Sequence, residues 1–381
     1  MTRTFVVLWL GAFAFFLSFC LLLSALPIFA RRMGASDGAI GVIMAAFAVS
    51  SLLLRPLTGW GADRYGRRPF MLAGSVFFAV ASVAYGWAAG ALSLVLVRLL
   101  HGAGMGLYPT AASAMVADVT PAGRRGEVLG LYGVAGSLAL AIGPVSGMAL
   151  VGRVEFTGLF WIAGAVAALS ILTTLLIPET LTRPHAIPFT ASAAVSPEAV
   201  LPSVVVLCLM FTYGAQVAFL PLHADTRGVN PGLFFLVFAV TIAVVRGPAG
   251  RLSDRFGRAP LAASGLVLAA AALVALAFSE SALGLALAGG IYGVAYGTAQ
   301  PALMAWCVDD VTEHDRGRAM ATFYSALEIG IAIGAMSSGL AVARWGFTTT
   351  FLATAGVAAA GAAVALSRGS IFPRRPSMSR P

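Results

Sequence analysis

Charged residues are scarce in this sequence, and lysine is absent altogether. Of the 381 residues only 10% are charged, whereas 59% are hydrophobic, and the mean hydropathy is +0.92. A soluble domain of this length needs a charged, hydrated surface, which this composition does not supply. The shortage of charge therefore excludes an ordinary soluble enzyme or binding domain and indicates a protein that lies within a membrane.

Residues that build metal or redox sites are also few. The three cysteines, Cys20, Cys208 and Cys307, fall within apolar segments without CxxC spacing, which favours packing residues over disulfides or metal ligands. The four histidines are scattered, and no pair has ligand spacing. No Walker-type phosphate loop, cofactor fingerprint or set of nucleophile and base residues appears. We therefore expect neither a cofactor nor a metal, and no enzyme activity.

Long apolar runs recur along the whole chain, and each can cross a hydrocarbon layer of roughly 30 Å. Only helices and closed barrels satisfy their backbone hydrogen bonds in lipid, and continuous runs of about 20 residues are typical of helices. The sequence therefore predicts an all-α membrane protein with twelve transmembrane helices, over residues 5–29, 38–58, 70–89, 91–117, 127–151, 157–177, 200–222, 232–249, 260–279, 281–307, 319–342 and 347–367.

The 24 basic residues, all of them arginine, are distributed unevenly between the two sides of such a protein. With the amino terminus inside, three lie within predicted helices and only five lie in outer loops: Arg31, Arg32, Arg153, Arg227 and Arg344. This follows the positive-inside rule, so we expect both termini in the cytoplasm and a multi-pass protein of a bacterial cytoplasmic membrane. The net charge of +9 is ordinary for basic inner loops and requires no nucleic-acid partner.

The chain is an internal duplication. The segment Arg55–Pro69 recurs as Arg246–Pro260, 191 positions later, with its Arg, Gly, Asp and Pro residues retained. Asp118-Val-Thr recurs as Asp310-Val-Thr at an offset of 192. Repeats of this size in a membrane protein are typical of a transporter built from two similar bundles around a central cavity. We expect two pseudo-symmetric six-helix bundles at 1–180 and 200–368, a cytoplasmic linker at 181–199 and a tail at 369–381.

Residues Gly59 to Arg68 match the signature G-x-x-x-D-R-x-G-R-R, and the copy beginning at Gly250 departs from it only at Ala259. On these residues the chain resembles the major facilitator superfamily. The resemblance implies secondary transport by alternating access, with this motif controlling the cytoplasmic gate. The alternative is a charged turn that only sets topology. The implied gating residues are Gly59, Asp63, Arg64, Gly66, Arg67, Arg68, Gly250, Asp254, Arg255, Gly257 and Arg258.

Two further segments resemble signatures of this family. Arg98 and His101 lie in a pattern like R-x-x-Q-G-x-G, and Tyr108 shares their helix face. We expect these three residues to line the substrate cavity, by binding an anionic group or tuning a proton site; the alternative is an Arg98 that hydrogen-bonds backbone carbonyls. In the span at 127–151 an antiporter-like motif implies proton-driven export, although Gly and Pro are common in any membrane helix, and its residues are Gly130, Gly143, Pro144 and Gly147.

Glu328 is the one acidic residue predicted to lie in the middle of a span. A carboxyl group in that setting can exchange protons near neutral pH, and an intramembrane acid is a functional candidate by default. We predict that Glu328 couples protons to transport or anchors a cationic substrate. The alternative is a structural Glu328 that stays protonated or pairs with Arg98. His223 and Asp225 form a weaker candidate relay, or simply an exposed pair in a loop.

Helical spacing places several polar and aromatic residues together on two further spans, where they would suit an amphipathic solute. Glycines at 289, 293 and 297 also allow the tyrosines to be mere packing residues. These cavity candidates are Tyr213, Gln216, Tyr292, Tyr296 and Gln300.

The function predicted from these patterns is export of a small hydrophobic or amphipathic compound by proton antiport, through a monomer whose partners are substrate, protons and lipid. The alternatives are a uniporter or symporter of sugars or organic acids, and a membrane sensor or partner protein that transports nothing.

Overall fold

The computed structural model describes residues 3–121, 125–181, 196–309, 311 and 316–367, and within them it contains α-helices and short 3₁₀ turns but no strands. The side-chain surroundings of residues 125–127, 129, 130, 316 and 317 lie outside the description, as do most of the predicted linker and the whole tail after residue 368. The α-helices are α1 Arg3–Leu23, α2 Ala25–Arg32, α3 Asp37–Tyr65, α4 Arg67–Ala84, α5 Ala91–Asp118, α6 Arg125–Leu175, α7 Val200–Asp225, α8 Gly232–Phe256, α9 Arg258–Ala277, α10 Ala282–Asp309 and α11 Arg316–Leu366.

The helices continue beyond the apolar runs into the charged motifs. The apolar runs predict that α3 ends at residue 58 and α8 at residue 249, but α3 extends to Tyr65 and α8 to Phe256. Each stops at a glycine with positive φ, which is 105° at Gly66 and 94° at Gly257. Hydropathy detects only the apolar part of a helix, whereas the backbone remains helical until a residue adopts a conformation that L side chains avoid.

Ten helical segments of the described residues are long and apolar enough to cross a membrane. Two of them belong to α6 and α11, which have 51 residues each. A continuous helix of that length would be about 75 Å long, more than twice the hydrocarbon thickness. Each is interrupted by one residue with non-helical backbone angles, Glu155 with φ 58° and Gly346 with φ 74°.

The helices pack as two groups that meet along two interfaces. In the amino-terminal group, defined as α1–α6, helix α1 packs on α6, α3 on α5, and α4 on both α5 and α6. In the carboxy-terminal group, defined as α7–α11, helix α7 packs on α11, α8 on α10, and α9 on both α10 and α11. The groups contact each other mainly where α3 packs on α11 and where α6 packs on α8.

Glycines allow the closest helix contacts inside each group. A Cβ atom added at Gly102 of α5 would overlap the carbonyl oxygen of Phe47 on α3, and one at Gly334 of α11 would overlap that of Phe211 on α7. Lipid chains are as apolar as leucine, so helices in a membrane gain stability from such close packing more than from the hydrophobic effect.

We predict that Gly334→Ala destabilises the protein by about 1–3 kcal/mol, because its methyl group has no room beside the Phe211 backbone. Gly356→Ala on the same helix is the matched control, since no heavy atom lies within 4 Å of the added Cβ. Thermal unfolding of both variants in detergent tests this. Equal midpoints for the two variants would show that the α7–α11 contact is looser than described.

Candidate functional site

The turns between helices define two ends of the molecule. At the motif end lie the turns at Gly66 and Gly257, within the two copies of the charged motif. At the opposite end lie the turns at Gly34 and Gly228, which also have positive φ, and the two interruptions in the 51-residue helices.

The two groups touch closely near the opposite end. A Cβ at Gly41 of α3 would lie 2.7 Å from the Ala335 carbonyl oxygen of α11. A Cβ at Gly232 of α8 would lie 2.5 Å from the Cα of Val145 on α6. Helix backbones that approach this closely leave no passage between them, so both interfaces are closed at this end.

Beside these contacts, Arg31 on α2 connects both groups. Its guanidinium pairs with Asp37 at the start of α3 and lies 5.4 Å from the ring centre of Phe347, which is in the carboxy-terminal group. The ion pair and the cation–π contact therefore add to the closure at the opposite end.

At the motif end the same helices are further apart. A Cβ at Gly59 or at Gly250 would have no heavy atom within 4 Å. The side chains of Asp63 and Asp254 are 55% and 69% exposed. Among the residues that the structure describes, the glycines that the motif supplies for close helix approach are therefore not in such contacts. Within these residues the two groups are closed at the opposite end and open at the motif end.

Between the closed and open ends, Glu328 forms an ion pair across the α3–α11 interface. Its Oε1 accepts a hydrogen bond from Nη2 of Arg55 at 2.7 Å and a longer one from the Ser51 hydroxyl at 3.3 Å. The Glu328 side chain is 7% exposed and that of Arg55 is 30% exposed. The acid thus pairs with an arginine of the other group, and its partner is Arg55 and not Arg98.

This pair lies within the predicted spans, with Glu328 near the middle of 319–342 and Arg55 three residues before the end of 38–58. Arg55 precedes the motif-end terminus of α3 by ten residues, which corresponds to about 15 Å along a helix. A charge there is costly unless it is paired or hydrated, and removing one partner of a buried pair costs more than removing both. The bridge therefore stabilises the arrangement of α3 on α11 in this state.

The carboxy-terminal group contributes a second polar cluster. Arg246 of α8 donates from Nη2 to Oε1 of Gln300 on α10 at 3.0 Å. The Tyr296 hydroxyl lies within electrostatic range of Arg246, Tyr324 and Glu328. Arg246, Gln300 and Tyr296 thus form a polar cluster on α8 and α10.

Aromatic rings form one wall beside this cluster. The ring centre of Tyr213 lies 5.9 Å from that of Tyr296, and both rings contact Phe238 of α8. Of the residues predicted for the cavity, the structure brings Tyr213 and Tyr296 together beside Gln300, whereas Glu328 hydrogen-bonds Arg55 and Ser51. The cavity residues predicted from the sequence did not include Ser51, Arg55, Arg246 and Tyr324. The internal repeat could have indicated Arg55 and Arg246, because they occupy equivalent positions in its two copies.

Two other predicted cavity residues are buried within the carboxy-terminal group. The hydroxyl groups of Tyr292 and Thr212 are 2.7 Å apart, and Tyr292 is fully buried. Gln216 is 1% exposed, and neither of its amide atoms has a hydrogen-bond partner among the described residues. These contacts join α7 to α10.

Arg98 is enclosed by the amino-terminal group. It is 4% exposed, donates to the Ile43 carbonyl oxygen at 3.4 Å and lies 4.5 Å from the ring centre of Phe47. These contacts fix α5 against α3, as in the structural alternative.

His101 and Tyr108 are fully buried in the same group. Nδ1 of His101 lies 3.1 Å from the hydroxyl of Tyr85, and Tyr108 stacks on Phe15 at 4.3 Å. These ring and hydrogen-bond contacts connect helices of the amino-terminal group.

In the first copy of the motif, Arg67 is the centre of a network between helices. It pairs with Asp63 one turn earlier and with Asp118 at the end of α5, whose Oδ2 is 3.3 Å from Nε. Glu179, which follows α6, accepts the backbone N–H groups of Arg67 and Arg68 at 3.0 and 2.9 Å. The acid that caps α4 is therefore Glu179, while Asp63 pairs with arginine.

The second copy repeats the central part of this network. Arg258 pairs with Asp254 at 2.6 Å and with Asp309 at 3.0 Å. Asp309, and not Asp310, thus occupies the position equivalent to Asp118; Asp310 lies outside the described residues.

Three other arginine positions of the motif differ from these. Arg68 donates to the Leu175 carbonyl oxygen at 2.8 Å, and Ala259 stands at its place in the second copy. Arg64 lies over the ring of Trp60 and Arg255 over that of Phe256, at 5.5 and 5.3 Å.

The antiporter-like motif packs α6 against two neighbours. A Cβ at Gly143 or at Gly147 would overlap α1, at Cys20 and at the Leu21 carbonyl oxygen respectively. The carbonyl carbon of Pro144 would lie 2.8 Å from a Cβ at Gly232 on α8, so the motif takes part in closing the opposite end. The surroundings of Gly130 lie outside the described part of the chain.

The weaker relay candidate is separate from this cluster. His223 is fully buried, and its Nε2 lies 3.1 Å from the Leu276 carbonyl oxygen, whereas Asp225 is exposed at the end of α7. Within the described residues no group of three or more His, Cys, Asp and Glu side chains could hold a metal ion.

Comparison with known proteins supports the same family. The profile described as Major Facilitator Superfamily matches residues 8–245 and 203–381. The chain is 24% identical over 375 residues to "Multidrug resistance protein MdtG" of Escherichia coli O9:H4 (strain HS), covering 93% of this chain and 91% of the relative. It is 26% identical over 373 residues to the protein of that name from Enterobacter lignolyticus (strain SCF1), covering 93% and 89%.

Solved structures agree in fold. The nucleoside transporter NupG aligns with a TM-score of 0.78 at 14% identity, over 97% of this chain and 100% of that one. A POT family transporter in complex with 5-aminolevulinic acid aligns with a TM-score of 0.80 at 16% identity, over 97% and 96%. The human organic anion transporter MFSD10 (TETRAN) aligns with a TM-score of 0.70 at 20% identity, over 96% and 100%.

We predict that Glu179→Gln destabilises the protein at pH 7 and progressively less as pH falls. Partial burial raises the pKa of Glu179, but four backbone N–H groups bond its carboxylate and hold the pKa below its usual 4.5. A depressed folded-state pKa gives stability that is present above the usual value and lost as pH falls through the folded value. Thermal midpoints at pH 7 and pH 4 test this, with exposed Glu280→Gln as control; a difference independent of pH would contradict it.

Proposed function

This chain belongs to the Major Facilitator Superfamily, and we propose that it exports small hydrophobic or amphipathic organic compounds in exchange for protons. It is a transporter and not an enzyme. The named multidrug resistance relatives, whose length it covers by about nine tenths, support export as the direction. The antiporter-like motif supports it further, because its Pro144 contacts Gly232 of α8 where the two groups close the opposite end in this state.

The proposal includes twelve spans in two six-helix bundles, at 1–180 and 200–368, joined by the linker at 181–199. Each 51-residue helix then crosses the membrane twice, turning at Glu155 or Gly346. An even number of spans puts both termini at the motif end. The concentration of arginine in the loops at that end supports a cytoplasmic location for it, in a bacterial inner membrane. The protein acts as a monomer, and the state described here is then open to the cytoplasm.

The observation that carries the coupling mechanism is the ion pair between Arg55 and Glu328. It is formed where the interface of α3 and α11 changes from closed to open. Protonation of Glu328 removes its charge, so Arg55 loses its partner and the inward-open arrangement loses this contact. Because the pair is formed in just one of the two states, protonation of Glu328 changes the equilibrium between them.

A proton-antiport cycle follows from this dependence. Substrate enters from the cytoplasm while Glu328 is ionised and paired, and the loaded protein reorients outward. A proton from outside then neutralises Glu328, the empty protein returns, and release of the proton inside restores the pair with Arg55. During closure of the motif end, Gly59 and Gly250 would permit the helix approach that is absent in this state.

The test is transport in proteoliposomes with an imposed pH gradient. We expect Glu328→Gln and Arg55→Gln each to reduce proton-driven uphill transport more than tenfold, because breaking a buried pair costs about 3–5 kcal/mol in the state that contains it. Exchange of labelled for unlabelled substrate at equal pH should persist in Glu328→Gln. The exposed Glu280→Gln is the control.

Uphill transport that is unchanged in Glu328→Gln would contradict the proposed coupling. Loss of both uphill transport and exchange, with normal thermal stability, would instead place Glu328 in substrate binding. The charge-reversed double variant Arg55→Glu with Glu328→Arg separates a pair effect from two independent effects.

A further inference from the structure

The two interfaces between the helix groups are copies of one another. Gly41 on α3 contacts Ala335 and Met336 on α11, and Gly232 on α8 contacts Pro144 and Val145 on α6. The first glycine and the second are 191 positions apart, like Arg55 and Arg246. The internal duplication therefore extends to the contacts that join the halves, and the α6–α8 interface can be compared with the α3–α11 interface residue by residue.

In this comparison the acid is missing from the second interface. The contacts of Gly41 with Ala335 and of Gly232 with Pro144 relate α11 to α6 by the same 191 positions, so the counterpart of Glu328 is Ser137, which carries no charge. Arg55 thus pairs with a carboxylate on α11, whereas α6, the helix that packs on α8 at the second interface, has a neutral serine at the corresponding place. Ser137 is partly buried, and its hydroxyl donates to the Gly133 carbonyl oxygen of its own helix at 3.4 Å.

Arg246 consequently has a charge without a protein counter-charge. It is exposed, it donates a hydrogen bond to the neutral amide of Gln300, and it forms no ion pair with any residue that the structure describes. It lies ten residues, or about 15 Å, from the motif-end terminus of α8, the same depth as Arg55. An arginine at that depth in a membrane protein is expected to face a water-filled cavity or a counter-ion.

The surroundings of Arg246 suit one end of an amphipathic molecule. The partly buried rings of Tyr213 and Tyr296 contact each other, and Tyr296 lies one helical turn before Gln300 on α10, which accepts the hydrogen bond of Arg246. A planar guanidinium binds carboxylate, sulfonate or phosphonate oxygens in a bidentate way, and aromatic rings bury an apolar body.

We propose that Arg246 is the substrate-anchoring residue and that the substrate is an organic anion with an apolar body. This inference rests on the proposed function and names its substrate class. The Arg55–Glu328 pair is neutral as a unit, so one bound monoanion neutralises the remaining charge of Arg246. The bound anion pairs with Arg246 as Glu328 pairs with Arg55 in the other interface. The proton therefore changes the pairing of Arg55, whereas the substrate binds Arg246.

The test compares three compounds with one apolar body: 1-naphthylacetic acid, its methyl ester and 1-naphthylethylamine. Their binding to detergent-purified protein and their transport in proteoliposomes are measured with wild type, Arg246→Gln and Arg246→Lys. We expect wild type to bind the acid about tenfold or more tightly than the ester or amine. Arg246→Gln should abolish that preference while retaining the ester, and Arg246→Lys should retain part of it.

The matched control is Arg251→Gln, an exposed arginine five residues further along α8, which should leave binding of all three compounds unchanged. Equal binding of acid and ester by wild type, or an equal loss of all three compounds in Arg246→Gln, would overturn the proposal. Wild-type transport of the compounds that ignores the pH gradient would contradict proton-coupled export instead, and the binding measurements would still decide the role of Arg246.

Discussion

The arrangement of this protein depends on the placement of one carboxylate in a low-dielectric layer. Glu328 is nearly buried, and its charge is balanced by Arg55 on a helix of the other group. An unpaired charge at that depth is costly, so the two helices that carry the pair are held together while both groups are ionised. The interface is packed on one side of this pair and open on the other. In our proposal a proton acts on this contact between the halves by neutralising the charge that holds the two helices together.

The duplication supplies two similar interfaces, and their difference carries the proposed function. The charged motif is repeated almost completely, with Arg67 and Arg258 each joining two aspartates. Both interfaces also carry an arginine at the same depth. Among the described residues, only the arginine of the α3–α11 interface is paired with an acid, so in our proposal a symmetric scaffold acquires one site for a proton and one site for an anion at Arg246.

The sequence predicted the helical architecture because the apolar runs and the repeat are long signals that tertiary contacts do not change. It placed the ends of α3 and α8 too early, since helical hydrogen bonding continues through charged residues until Gly66 and Gly257. It also singled out Glu328, since a lone acid in an apolar run is visible without a structure, and the coupling role of this residue stays a prediction. It did not find Arg55 as the partner, because the two residues are 273 positions apart and meet only where α3 crosses α11.

The central claim, that the Arg55–Glu328 pair holds the motif end open, is tested most directly by a distance across that end. Spin labels at the exposed positions Tyr65 and Phe256, one in each group, report it by pulsed electron paramagnetic resonance. The account predicts a long distance as the main population for the labelled wild type at high pH, and a shift toward a shorter distance at low pH and in Glu328→Gln at every pH. Identical distance distributions for the two proteins across the pH range would contradict it.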